Sequence, residues 1–150
     1  MSLLDVLKFK GSFVTQILRD QHKNTVELCE KFLDKKLNNE EFLKHIEFLL
    51  NIHFKIGEDI LYPAFLPILQ KYLPYMEPFK MVIAEHRGVV NLLNKYNNFH
   101  EEHDYLSDIA NLLLQHVYKE ENGIFNQIDI LMPEDIKIQV YDKIKKFIEK

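Results

Sequence analysis

The stretch His116-Val117-Tyr118-Lys119-Glu120-Glu121-Asn122-Gly123-Ile124-Phe125 sets a histidine and a carboxylate four residues apart inside an apolar stripe. Residues three and four apart share a helix face, and Ile109, Leu113, His116, Glu120 and Ile124 all fall on one. That face has to turn into a core. A buried imidazole and a buried carboxylate each cost free energy unless a partner satisfies them. A metal ion satisfies both at once, because imidazole with carboxylate is a ligand mix for iron, zinc or manganese. A single His-Glu pair is nonetheless weak evidence, since structural pairs of this kind are common.

The rest of the chain narrows the setting. Its 150 residues suit one domain that buries most of its apolar surface without staples. Nineteen Lys and Arg against 23 Asp and Glu, with the signs interspersed, give no nucleic-acid patch and no polybasic membrane anchor. Cys29 is the single cysteine, so no internal disulfide forms. The opening Met-Ser-Leu-Leu-Asp-Val-Leu-Lys breaks its apolar run with charge too early for a secretory signal, and the expected location is cytoplasmic. Pro63 and Pro67 interrupt the apolar run from Ile60 to Leu69, which excludes it as a membrane span. Oligomeric state is open.

Four glycines, five prolines and long stretches of period near 3.6 predict an all-α protein. Residues 2 to 9 read as a short leading helix that ends at Gly11. Helix A then runs from an N-cap at Ser12 to about Lys36, with Val14, Ile17, Leu18, His22, Val26, Cys29 and Leu33 inside. Asn38 with Glu41 resembles a capping box and opens helix B, which is expected to stop at Tyr62 because Pro63 disfavours helix in the residue before it. Its stripe is Phe42, Ile46, Leu49, Leu50, His53, Gly57, Ile60 and Leu61, and His45 reads as a flank residue. One or two short turns follow over residues 63 to 75. Helix C starts at Pro78, carries Phe79, Val82, His86, Val89, Val90 and Leu93 inside, and is expected to end at Asn97-Asn98. Asn98 with Glu101 then predicts the start of helix D, which puts His100 and His103 in its first turns, roughly 20 Å from His116. Helix D runs to between Phe125 and Met132. A final helix, about 133–149, begins at Pro133 and completes a single domain whose bundle core covers about 12–130.

Each of the four long helices thus carries one histidine on its inner stripe: His22, His53, His86 and His116. They lie ten residues after the start of A, nine before the end of B, eight after the start of C and ten before Asn126. In an antiparallel up-down bundle with short connections those offsets bring all four to one level, within about 3 Å. Four histidines in one core layer are hard to satisfy without a metal.

His53-Phe54 followed by Glu58-Asp59-Ile60-Leu61-Tyr62-Pro63, the triplet Glu85-His86-Arg87, and His116 followed by Glu120 and Ile124-Phe125 resemble the hemerythrin-like, HHE cation-binding family. The resemblance covers about residues 12 to 130. It implies a four-helix bundle around a non-haem centre of two iron ions, with a single ion as the alternative, in which His22, His53, His86, His116 and Glu120 match the family's ligands. The family usually has a glutamate four residues after the helix B histidine, and here that place is Gly57. Glu58, five residues on, is the substitute ligand, although an ideal α-helix carries it about 100° past the shared face. Glu121 is a rival to Glu120. Val90 stands where oxygen-carrying hemerythrins have a further histidine, which makes the chain resemble the intracellular HHE branch.

The implied activity is binding or sensing of a small diatomic ligand, O2 or NO, or iron handling. A di-iron redox enzyme, peroxidase-like or acting in iron-sulfur repair, is the alternative, and a metal-free helical interaction module that has lost the centre is the third. Ferritin-like chemistry fits poorly because no Glu-x-x-His pair occurs, and c-type haem is excluded by the lack of Cys-x-x-Cys-His.

Overall fold

The computed structural model describes residues 12–72 and 77–150, and among these every regular element is helical. The leading helix expected over residues 2 to 9 lies outside the described residues. Helix α1 spans Phe13–Leu33 and buries Val14, Leu18, His22, Thr25, Val26 and Cys29 at intervals of three and four. It ends where Lys35 enters the left-handed region at φ 63°. There the N–H groups of Lys35 and Lys36 donate to the carbonyls of Phe32 and Lys31, at 3.0 and 2.8 Å, so the last turn keeps its hydrogen bonds.

Asn38 caps α2 (Asn39–Phe48) by accepting the Glu41 N–H at 2.8 Å. The helix then widens into two π-helical turns, Leu49–His53 and Ile56–Leu61, and continues as α3, Tyr62–Tyr72. The stop expected at Tyr62 is therefore corrected: the chain stays helical through Pro63 and Pro67. Pro63 falls in the first turn of α3, where a missing N–H matters least. Just before it the ladder is re-routed, because the Tyr62 N–H donates to the Gly57 carbonyl five residues back, as the Phe54 N–H does to Leu49. Each π turn takes in one extra residue and so advances the buried face. In consequence Phe54, Ile56 and Tyr62 are buried, whereas Leu50 and Ile60 are only partly so.

Helix α4 spans Glu77–Phe99, α5 Tyr105–Asn122, α6 Ile124–Leu131 and α7 Glu134–Ile148. Asn98 does not end α4 or cap α5. Its side chain donates to the Asn94 carbonyl at 2.8 Å, and Asp104 caps α5 instead, accepting from the Ser107 N–H at 3.2 Å and its hydroxyl at 2.6 Å. His100 and His103 consequently sit in the exposed connection between the two helices. The expected helix D is split at Gly123, where an added Cβ would lie 2.8 Å from the Lys119 carbonyl oxygen, an approach that only glycine permits. Pro133 precedes α7, whose first turn holds Glu134 and Asp135 and whose last holds Lys145 and Lys146, in accord with the helix dipole.

Side-chain partners run in opposite directions along neighbouring helices. Phe32 stacks on Phe42 at 4.3 Å, Thr25 meets His45, and Gln21 meets His53. Likewise Gly88 lies beside Leu112, His86 meets His116, and Glu85 meets Lys119. Two large apolar clusters result, with Val26 and Val117 forming a small third. Val14, Leu18, Leu61, Phe65, Phe125 and Ile144 belong to one, and Cys29, Phe42, Ile46, Val89, Leu106 and Leu113 to the other. On α1, α4 and α5 the candidate histidine lies in sequence between residues of the two clusters. Among the described residues no helix is long and apolar enough to cross a membrane.

His45, expected on a flank, is buried, and its Nε2 lies 2.9 Å from the Thr25 hydroxyl. Burial pulls its pKa from 6.5 down to about 4. The folded protein therefore refuses a proton that the unfolded chain accepts, so this contribution is complete above pH 6.5 and is lost as pH falls toward 4. His45→Gln should flatten that acid limb, by at most about 3 kcal/mol between the two ends, when urea unfolding is measured across the pH series.

Candidate metal centre

Between the two apolar clusters the helices bring together His22 from α1, His53 from the first π turn, His86 from α4 and His116 with Glu120 from α5. All five are almost fully buried. Ring centroids are 4.8 Å apart for His22 and His53, 4.6 Å for His86 and His116, and 6.5 Å for His22 and His116. The donor atoms form two groups, His22-His53-Glu120 and His86-His116-Glu120, each within 4.8 Å. Glu120 belongs to both.

The second nitrogen of every ring is also accounted for. Nδ1 of His22 lies 2.8 Å from Glu121, that of His53 2.7 Å from Gln21, that of His86 2.8 Å from Glu58 and that of His116 3.2 Å from Glu85. An oxygen acceptor at each Nδ1 fixes the proton there and leaves Nε2 a lone pair, as metal-bound histidines require. Aromatic faces hold the ring planes: Phe54 stacks on His86 at 3.8 Å and Phe125 on His22 at 5.2 Å. Behind Glu121 stands Arg19, which binds it directly and also reaches Asp129 at 2.8 Å.

This arrangement calls for positive charge at its centre. Nε2 of His86 and Nε2 of His116 are 3.0 Å apart, so two lone pairs would face each other. Glu120 Oε1 lies 2.6 Å from His116 Nε2 and 3.1 Å from His22 Nε2. Burial pulls the His116 imidazole down, but Glu120 and Glu85 outweigh it and raise the group to about 9. His22 is raised too, Glu120 and Glu121 together overcoming burial. His53 and His86 go the other way, lowered by burial and then by a neighbouring histidine, His22 and His116 respectively. The two upward shifts both reflect the demand for positive charge beside Glu120. The donor set equally fits a metal cation, which needs the same lone pairs and the same carboxylate.

A family model, the hemerythrin HHE cation binding domain, matches residues 14–128. The chain belongs to the hemerythrin HHE cation-binding family. No curated protein and no solved structure matches it. The HHE domain match covers the helices that carry His22, His53, His86, His116 and Glu120, and the two His/Glu groups are compatible with metal binding.

Glu58, expected to ligate, lies in neither group. Its side chain is about a third exposed and accepts from Nδ1 of His86, one bond outside the cluster. Glu121, the rival to Glu120, also lies in neither group and is held by Arg19 and His22 Nδ1. His100 and His103 are exposed and apart from the site, with His103 paired to Asp108 at 2.8 Å. Cys29 is a buried packing residue whose thiol burial pushes up to about 12.

The sequence reading did not assign Gln21, Glu85 and Tyr62. Gln21 and Glu85 each precede a candidate histidine by one residue, a signal too common to give either a role, and Glu85 enters the sequence reading only within the triplet that resembles the family. Tyr62 is fully buried and donates its hydroxyl to Glu120 Oε2, which burial and then Glu120 reflect in a phenol raised well above its ordinary value. Its ring also fills the space beside Gly57, since a Cβ there would lie 3.2 Å from Tyr62 Cε2. Gly57→Glu should therefore destabilise the fold by roughly 1–3 kcal/mol through overpacking and add no bound metal. Thermal unfolding and metal analysis of that variant check both; a more stable variant with added metal contradicts them.

Proposed function

We propose that this protein is a non-haem iron protein whose core holds two iron ions, and that it binds dioxygen or nitric oxide there. The observation that carries the reading is the orientation of the four imidazoles. Each Nδ1 faces an oxygen acceptor, which leaves four Nε2 atoms for the layer that holds Glu120. In this reading His22, His53, His86, His116 and Glu120 would hold the iron, Glu120 being common to both groups. Iron is the metal typical of HHE domains. Glu58 orients His86, Glu85 orients His116, Gln21 orients His53 and Glu121 orients His22.

Iron with open coordination positions binds small diatomic molecules. The residues around the centre provide the exclusion and the approach that such binding needs. A surface hollow of about 460 Å³ has apolar residues (Leu50, Phe54, Ile83, Val90) and charged ones (Lys55, Glu58, Asp59, Arg87) in its lining, together with His86. Phe54 and Leu50 form one wall of that approach, with Lys55, Asp59 and Arg87 at its exposed rim. The same reading gives Val90 a role, since a valine leaves the hollow open where a histidine would occupy it.

Protein purified without added chelator is expected to hold up to two irons per chain. His116→Ala should lose most of the iron, at least about tenfold in affinity as for loss of a metal-supporting group, while His103→Ala keeps it all. Metal per chain in the three proteins, with NO titration followed by visible absorption, decides the matter. Absence of iron from the native protein, or equal loss in both variants, overturns the proposal.

A further inference from the structure

Two iron ions need more negative charge nearby than four neutral imidazoles and one carboxylate provide, because an uncompensated buried charge is expensive. Helix α2 and its continuation supply no carboxylate to either donor group: position 57 is glycine, and Glu58 is turned to His86 Nδ1. Another oxygen already stands in the layer. The Tyr62 hydroxyl is bonded to Oε2 of Glu120, the one carboxylate common to both groups, and the residue is fully buried.

Its position depends on two features of the same segment. The π turn Ile56–Leu61 brings Tyr62 onto the buried face. Gly57, lacking a Cβ, lets the tyrosine ring lie across the helix at the level where a side chain from position 57 would otherwise project. The residue that fails to provide a carboxylate is thus the one that makes room for the phenol. Resting on the iron reading above, we infer that Tyr62 is a metal ligand, its phenolate oxygen standing in for the carboxylate that Gly57 does not offer.

The chemistry balances simply. The phenol O–H bond breaks as the oxygen binds the cation, and the proton passes to solvent, as ligand protons do when metals bind. Two oxygens that share a cation at about 2.0–2.2 Å from it lie roughly 3 Å apart, which is also the spacing of two oxygens that share a proton. The Tyr62 hydroxyl and Glu120 Oε2 are direct partners, so the two oxygens that would share the cation already stand side by side. Phenolate is a hard anionic donor suited to ferric iron.

The test is to load the full chain with ferrous iron without oxygen, oxidise it in air, and record visible absorption and resonance Raman spectra. A broad phenolate-to-iron charge-transfer band with tyrosine ring modes is expected in the native protein, and both should vanish in Tyr62→Phe. Iron retention against a chelator should also fall, about ten- to a hundredfold, but a tyrosine that only oriented Glu120 could do that as well. The Raman modes are what separate the two roles. They are read in the native protein, so the result stands even if Tyr62→Phe fails to fold. Iron uptake without phenolate modes overturns this assignment and leaves the iron centre standing, as do modes that persist in Tyr62→Phe. Protein that takes up no iron removes the centre and the assignment together.

Discussion

Glu120 carries a negative charge in a place with almost no water, where both of its oxygens are engaged by side chains from other helices or from its own preceding turn. An ionised carboxylate tolerates such burial only if it is paired and hydrogen-bonded. The histidines on either side hold it well below the usual carboxylate range even though burial alone would raise it. Satisfying Glu120 with imidazoles creates a second requirement, since each ring has another nitrogen to place. His22 places it on Glu121, Glu121 draws in Arg19, and Arg19 reaches Asp129, which also accepts from Ser12 and Thr15. Lys137 of α7 donates to the Asp129 carbonyl at 2.7 Å, so the chain of partners ends in the last helix. One buried charge thereby ties α1, α5, α6 and α7 together through polar contacts.

The segment from Leu49 to Tyr72 obeys a different constraint. A regular α-helix repeats its face every 3.6 residues, and two π turns in succession break that phase. The break has a use on each side. Before it, His53 joins His22; after it, Tyr62 joins Glu120, nine residues further along. Such widened turns are found disproportionately at functional sites, and here they carry His53 and lead directly into Tyr62.

Much of this was legible in the sequence where the α period held. The inner positions of α1 and α5 follow intervals of three and four, so Val14, Leu18, His22, Leu113, His116 and Glu120 were read correctly as buried. Where phase changed, the reading failed: Leu50 and Ile60 were placed inside, and Phe54 and Tyr62 were not. Proline misled in the same segment, because its effect on a helix depends on whether it falls in a first turn, which pattern alone does not reveal. Asn98 shows another limit. It and Asp104 are both plausible caps, and the outcome turns on which side chain is already bonded within a helix. The oxygens that orient the histidines all come from neighbouring helices, three from carboxylates and one from the Gln21 amide. Only tertiary pairing identifies them.

The two donor groups, alike in composition, differ in their surroundings. Around His22, Arg19, Glu121 and Phe125 are buried, and the ring is enclosed by a charged network and an aromatic face. Around His86 and His116 the orienting carboxylates lead outward: Glu85 to Lys119, which is 44% exposed, and Glu58 to the hollow beside Val90. The four imidazoles are equally buried, but the partners of the second group reach closer to the surface. On the iron reading the two donor groups, built from the same residue types, would differ in what stands behind them: the Arg19–Asp129 network behind His22, and residues that border solvent behind His86 and His116.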